Sequence, residues 1–542
     1  MKWEVLEKRI GNSVQEIVNT LLENRGIKTA KEKEEFFKPT RPEKFSLKKL
    51  RINQTEIRKA IKRIKEAKRK NEKVIVYGDY DADGICATAI LWECLYSLGL
   101  NVLPYIPERF SEGYGLNAKS IENLKLKTDN LKLILTVDNG ITAFGGIKKA
   151  KELGIDVIVV DHHEQDKLLP NAYCLIHTTQ ISGSAVAWIL SRELGRTNAL
   201  ELAAIGTISD QLPLVGPNRS FAKYGLEALR ETERPGLLSM FEEAAIEKEK
   251  IGTYEVGFII APRINAMGRL THAIDSLRLL CTKDGKRAKE LADLVGRTNF
   301  ERQKIVETVV THAKERLGKE VKESVIILSH ESYHEGVIGL AAAKLVERFY
   351  RPAIVVSKKK DISKASARSI SGFNIIEAIR KLEGLYIEGG GHPMAAGFSI
   401  ETSKIEEFAK EINEMSKPLL TEEILSRKLK IDTEIDFNRI NQELYDNIKD
   451  FEPTGLGNFP PLFITKKVEV VESRTVGRDN THLKLKLRQN SLVFDAIYFN
   501  SPFTIHHSQF TKPVDIVYSI EENIWNNHVS LQLKIRDIKP IH

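Results

Sequence analysis

Cysteine is scarce in this sequence, and what there is stands apart. The 542 residues hold four, Cys86, Cys94, Cys174 and Cys281, with no Cys-x-x-Cys pair. That spacing argues against a zinc knuckle or a disulfide framework and suits a reducing compartment, so a cytoplasmic location is expected. No apolar run approaches the roughly 20 residues needed to span a bilayer. The first residues, MKWEVLEKRIGNSVQEIV, are charged and amphipathic, so no signal peptide is expected. Internal repeats and low-complexity segments are absent, which sets aside solenoids and disordered tracts. A strong charge of either sign is missing too. The formal balance of +8, with a pI near 8.9, permits a polyanionic partner without requiring one.

What is present is a globular composition, 42% hydrophobic and 29% charged, in a chain long enough for three or four domains. Residues 1–50 read as short helices. IRKAIKRIKEAKRK (57–70) carries eight cations against one Glu, and the plain reading is a solvated helix face with its isoleucines turned inward. From residue 73 short apolar strands alternate with helices: KVIVYGD, NVLPYI, LKLILTVDNG and IDVIVVDHH. That rhythm predicts a parallel sheet covered on both faces. A charged periodic segment over 284–317 predicts one long helix. SVIILSH (324–330) opens a second α/β unit that ends near GGGHPMAAGFSI (389–400), and from 428 short alternating strands predict a small β-barrel. The expected boundaries are an N-terminal helical region at 1–72, a first α/β domain at 73–283, a connecting helix at 284–322, a second α/β domain at 323–427 and the barrel at 428–542.

Acidic and histidine clusters sit where these strands end. Asp79, Asp81 and Asp83 alternate over five residues before a helix. Three carboxylates so close repel one another unless a cation neutralises them. Read instead as an acidic cap, the cluster would make Asp83 the helix N-cap. Asp138-Asn139-Gly140 closes another strand and is also good turn chemistry. Asp161-His162-His163 closes the next, and paired histidines there are rarely a packing feature. Asp210 follows an apolar helix, at an end where an acid is slightly unfavourable. Carboxylates joined by an imidazole make an oxygen-rich site that favours Mn²⁺ or Mg²⁺ over structural zinc. Two such ions can clamp the attacking and leaving oxygens of a phosphodiester.

The order DYDADG, DNG, DHH and a later SD resembles the DHH phosphoesterase superfamily, and GGGH (389–392) resembles its DHHA1 domain. VYGDYDADG, IPERFSEGYGLN (106–117), GTISDQLPL, APRINAMGRL (261–270), HEGVIGLAA, SARSISGFNI and FEPTGLGNFPP resemble the RecJ family in particular. The resemblance implies two α/β domains, DHH and DHHA1, joined by a long helix, with a C-terminal OB-like barrel. It implies a single-stranded-DNA-specific 5′→3′ exonuclease that releases 5′-mononucleotides in DNA repair and recombination. Two Mn²⁺ or Mg²⁺ ions would be held by Asp81, Asp83, Asp138, His162 and Asp210, with Asp138 shared between them. Asp79 would be a further ligand or a support, His163 would face the scissile phosphate, and Asp161 would orient the strand end or a histidine. Many relatives carry His where this chain has Tyr77, a poor ligand when protonated. Substrate contacts implied are Arg109, Tyr114, Arg263, Asn265, Arg269, Arg368, Ser369, Gly390, Gly391 and His392, with Gly389 beside them. Arginine forks suit phosphate, and exposed glycine amides can cradle it. Implied partners are single-stranded DNA, a helicase and a single-strand DNA-binding protein, with no membrane. The rival expectation is a phosphodiesterase of the same superfamily for small nucleotides or oligoribonucleotides, whose members are typically shorter and lack an OB-like tail.

Overall fold

The computed structural model describes residues 1–7, 13–113, 115–318, 321–477, 480–501, 512–525 and 528–541. The chain falls into two compact units. One comprises Met1–Phe45, Gln211–Lys223 and Lys428–His542, the other Ser46–Asp210 and Tyr224–Arg427. The N-terminal stretch is therefore shared between the units, and it is not all helical. Lys2–Glu7 forms strand β1, with exposed and half-buried residues alternating.

In the second unit the basic helix Gln54–Arg69 buries Ile57, Ala60, Ile64 and Ala67. Arg63 departs from the solvated face expected of it. It is buried and bonded to Asp156 at 2.6 Å and Glu72 at 2.7 Å. Strands β2 (Lys73–Tyr77), β3 (Asn101–Tyr105), β4 (Leu131–Val137), β5 (Asp156–Asp161) and β6 (Cys174–His177) pair in parallel, in the order β3-β2-β4-β5-β6. Their β-branched and leucine runs are buried because helices cover both faces. The chain extends the sheet to one side of β2 with β3 and to the other with β4. The strand order thus reverses beside β2, where side chains after β2 and β4 share a crevice. The helix Ala82–Ser97 is apolar nearly all round because it is buried by Gly183–Glu193 on one side and Leu200–Ser209 on another.

The long helix is present as Gly285–Leu317. Asp284 caps it by accepting the Arg287 N–H, and Gly318 ends it at φ 65°. Beyond it, β7 (Ile326–His330), β8 (Ala353–Ser357), β9 (Ile362–Arg368), β10 (Glu388–His392) and β11 (Ala395–Glu401) form a mixed sheet in the order β10-β11-β9-β8-β7. GGGH is thus a strand paired antiparallel with β11, rather than a turn.

The first unit is completed by β12 (Lys428–Glu434), β13 (Phe463–Val476), β14 (His482–Gln489), β15 (Leu492–Tyr498), β16 (Val514–Trp525) and β17 (His528–Pro540). Pairings β13–β14–β15–β17–β16 close on themselves through β13–β16, giving the five-stranded OB-like barrel, while β12 carries β1 on its outer side. On β14, Leu483, Leu485 and Leu487 point inward between lysines and an arginine. Arg219 is buried in this unit. Its guanidinium donates to the carbonyls of Phe36, Asp450, Phe451, Glu452 and Pro453. Among the described residues, no helix is long and apolar enough to cross a membrane.

Candidate metal centre and phosphate site

Asp79 lies just beyond β2, and Asp81 then caps the helix Ala82–Ser97 by accepting the Gly84 N–H at 3.0 Å. The cap is Asp81 and not Asp83, because the chain enters helical geometry at Ala82. That frees Asp83, buried on the first turn, to reach a different helix. Its two oxygens accept the Gly183 N–H at 2.7 Å and the Ser184 N–H at 3.0 Å, at the N-terminus of Gly183–Glu193. Helix dipole and amides hold this carboxylate in place. Asp138 follows β4 with φ 60°, a left-handed backbone that costs free energy in a non-glycine residue. The approach is close enough that two glycines are obligatory. A Cβ on Gly183 would lie 2.3 Å from Asp138 Oδ1, and one on Gly206 would lie 2.0 Å from Asp83 Oδ1.

At the end of β5, Asp161 is 1% exposed and fully used. One oxygen accepts the Ile141 N–H at 2.9 Å. The other accepts the His162 and His163 N–H groups at 2.7 and 3.2 Å and meets His163 Nδ1 at 2.8 Å. Asp161 therefore orients both histidines. His162 turns inward, with Nε2 3.0 Å from Asp138 Oδ1, 3.6 Å from Asp210 Oδ2 and 3.8 Å from Asp83 Oδ2. His163 is half exposed.

Three overlapping donor groups result: Asp79, Asp81 and Asp138; Asp138, His162 and His163; and Asp83, His162 and Asp210, each with ligand atoms within 4.8 Å of one another. The structure thus brings together every metal ligand the sequence suggested, Asp79 included. Tyr77 is elsewhere. It is buried in the core, stacks on Tyr105 and donates to the Gly115 carbonyl at 3.1 Å.

Charge shows why the cluster needs a cation. Burial, reinforced by Asp81, pushes the Asp79 carboxyl well up. Burial and then Asp83 raise Asp138 well up and bring Asp210 to about 8, and burial also raises Asp81. Burial lowers His162, so its imidazole stays neutral and available as a ligand. For His163, burial opposes the charge, but the Asp161 hydrogen bond and negative field outweigh it and lift the group to about 9. Asp138 Oδ1 is buried and makes no hydrogen bond, although His162 Nε2 is 3.0 Å away. The donor set, carboxylates with an imidazole, suits hard divalent ions.

A second feature faces this one from the same unit. A cavity of about 650 Å³ is lined by Arg109, Arg269, Arg368, Ser366, Lys364, Gly389 and Gly390. Arg109 lies 5.0 Å above the Tyr80 ring, Arg269 donates to the Gly336 carbonyl at 3.3 Å, and Arg368 to the Ala367 carbonyl at 2.8 Å. Burial and the neighbouring Arg109 and Arg302 depress Arg269 to about 10. Among the described residues none of these three arginines has a carboxylate partner. Partly buried guanidinium groups without a carboxylate call for an anion.

Other expected contacts are not at this cavity. Ser369 is buried, its hydroxyl donating to the Phe373 carbonyl at 2.6 Å, while Ser366 lines the cavity instead. Ser366 lies within β9, whereas Ser369 follows the strand's last residue and turns into the core. Arg263 is paired with Glu243 at 2.8 Å. Asn265 Oδ1 accepts the Ala82 N–H at 2.8 Å and so fixes the aspartate loop. Gly391 packs on Ala396, and His392 ends β10, exposed and outside the cavity lining. Tyr114 lies outside the described residues. Sequence reasoning missed Ser366, Lys364 and the amides of Gly183 and Ser184. For the last two a signal existed in Ser182-Gly183-Ser184, a cap followed by a glycine at a helix start.

Comparison with known proteins agrees with this geometry. Sequence models of the DHH family N-terminal domain, the DHHA1 domain and the RecJ OB domain match residues 73–207, 322–417 and 431–537. The chain is 31% identical over 575 residues to the single-stranded-DNA-specific exonuclease RecJ of Haemophilus influenzae, covering 98% of each. It is 36% identical over 496 residues to that of Bacillus subtilis, covering 89% of this chain and 63% of that protein's length. The fold matches the crystal structure of RecJ in complex with Mn²⁺ from Thermus thermophilus with a TM-score of 0.84 and 27% identity, over 100% of this chain and 80% of that one.

Proposed function

The chain belongs to the RecJ family, and on that footing we propose that it hydrolyses single-stranded DNA from the 5′ end to 5′-mononucleotides. The observation that carries the reading is the convergence of six ligand side chains opposite an arginine-lined cavity within one unit. Residues 73–283 act as the DHH catalytic domain, 284–322 as its connecting helix and 323–427 as the DHHA1 domain. Residues 428–542 bind nucleic acid through the OB-type barrel, and 1–72 form the N-terminal region.

Asp81, Asp83, Asp138, His162 and Asp210 would hold two Mn²⁺ or Mg²⁺ ions, with Asp138 as the shared ligand and Asp79 as a further ligand or support. When bound, the ions polarise the phosphoryl oxygens, acidify water and neutralise the charge that develops on phosphorus. Asp83 and Asp138 are fixed before substrate arrives, one by two helix amides and the other by its strained backbone and the glycine wall, so little reorganisation remains. Asp161 holds His163 Nδ1, and Nε2 would donate to a non-bridging phosphate oxygen. Arg109, Arg269 and Arg368 bind backbone phosphate and set the strand's register. A cytoplasmic setting, and work beside a helicase and a single-strand DNA-binding protein, belong to the same proposal.

The test is digestion of 5′- and 3′-labelled single-stranded DNA and RNA with Mn²⁺ and with EDTA. Early release of the 5′ label as mononucleotide from DNA, abolished by EDTA and by Asp81→Ala, is the expected result. Cleavage confined to dinucleotides, release of the 3′ label first, or full activity of Asp81→Ala would overturn it.

A further inference from the structure

Two large aromatic side chains stand in solvent side by side. Tyr254 is 63% and Phe258 72% exposed, and their rings stack with centroids 5.1 Å apart and planes 28° from parallel. Phe258 sits on a π-helical turn, Glu255–Ile260, that Tyr254 caps and that runs directly into the helix Ala261–Leu270. Pro262 cannot donate to the carbonyl of Phe258, so the hydrogen-bond ladder slips here. Single π turns recur at functional sites.

The turn packs on the helix Leu200–Ser209. A Cβ on Gly257 would lie 4.0 Å from Ile208, so the turn rests on the helix whose C-terminal end carries Asp210. Arg263 joins the same turn by donating to the Ile259 carbonyl at 3.2 Å. Beside Arg263 lies Arg302, held in its positive field. Arg302 Nε is buried without a hydrogen-bond partner, and among the described residues its guanidinium makes no ion pair. An apolar protein surface docked here would leave that cation unanswered. A polynucleotide carries a flat π face and an anion in every repeat.

We propose that Tyr254 and Phe258 form a stacking platform for bases of the strand beyond the scissile phosphate, with Arg302 contacting the accompanying backbone phosphate. The inference rests on the exonuclease reading above. Stacking accepts any base, as an enzyme that advances one nucleotide per turnover requires. Both aromatics are positioning residues and take no part in the chemistry.

The experiment compares kcat/KM on a 20-nucleotide DNA with that on a 5′-phosphorylated dinucleotide, for the full-length protein and for Tyr254→Ala/Phe258→Ala. Loss of one stacked base lowers the ratio by roughly 5- to 150-fold. Phe258→Leu, which keeps the apolar bulk without the ring, lowers it as well. Abasic sites near the 5′ end penalise the wild type more than the double variant. Arg302→Gln reduces the slope of log affinity against log salt by about 0.7. An unchanged ratio in the double variant, an equal abasic penalty, or a change in oligomeric mass on sedimentation would overturn the platform, and an unchanged salt slope would overturn the Arg302 contact. If the wild type itself fails on the 20-mer while cleaving the dinucleotide, the exonuclease reading falls and takes the platform with it.

Discussion

Adding one methyl group at Gly183 tests the site's preorganisation without removing any ligand. The new Cβ would lie 2.3 Å from Asp138 Oδ1, whereas real contacts of that kind do not fall below about 3.0 Å. The carboxylate must therefore withdraw by roughly 0.7 Å, and it has little freedom to do so, because its backbone is already in the left-handed region. Misplacement of a reacting constellation by about 1 Å costs on the order of 10²-fold in rate. The fold itself should suffer less. Overpacking costs about 1–3 kcal/mol, and alanine in a helix offsets up to roughly 1 kcal/mol of it relative to glycine. Gly183→Ala should thus keep a cooperative melting transition within several degrees of the wild type, while kcat on a 5′-labelled 20-mer falls about 100-fold and the Mn²⁺ requirement rises. Thermal melts by circular dichroism and initial rates across a Mn²⁺ titration decide it. A rate within threefold of wild type at saturating Mn²⁺ would refute the idea that this wall sets the position of Asp138.

Two further outcomes follow from charge and burial. With Asp79, Asp81 and Asp138 raised and Asp210 near 8, the metal-free cluster holds protons at pH 7, so loading Mn²⁺ must release them and affinity must rise as pH climbs from 6 to 8. Titration calorimetry in two buffers of different ionisation heat measures the release, and a value of zero contradicts the electrostatics. In the other unit, Arg219→Ala leaves five carbonyls without their shared donor and should cost about 3–5 kcal/mol in urea denaturation. A loss below about 1 kcal/mol would mean that water replaces the guanidinium.

The parallel sheet, the long helix and the barrel were legible because burial imposes simple periods on sequence. The metal ligands were legible because carboxylates crowd together only where something answers their charge. Finer assignments depended on where a turn of backbone begins. Asp81 and Asp83 are two residues apart, and the frame of the helix, set by Ala82, decides which is the cap and which reaches Gly183. Ser366 and Ser369 differ in the same way, since the end of β9 at Arg368 is fixed by pairing with β8 and β11, which no local pattern encodes. Tyr77 looked like a gap in the first ion's shell; its ring belongs to the core, and Asp79 stands with Asp81 and Asp138 instead. Strand β1 escaped notice because six alternating residues next to helical patterns gain their identity only from β12.

That pairing has a consequence for biosynthesis. β1 is synthesised roughly 420 residues ahead of its partner, which begins at Lys428. At 5–20 residues per second the wait is roughly 20 to 85 s. Throughout it the sequence KWEVLE has no strand beside it, and the edge it will cover on β12 has not been made. A chain stopped anywhere before residue 428 would keep that segment as a free edge, with unsatisfied amides able to pair with another molecule.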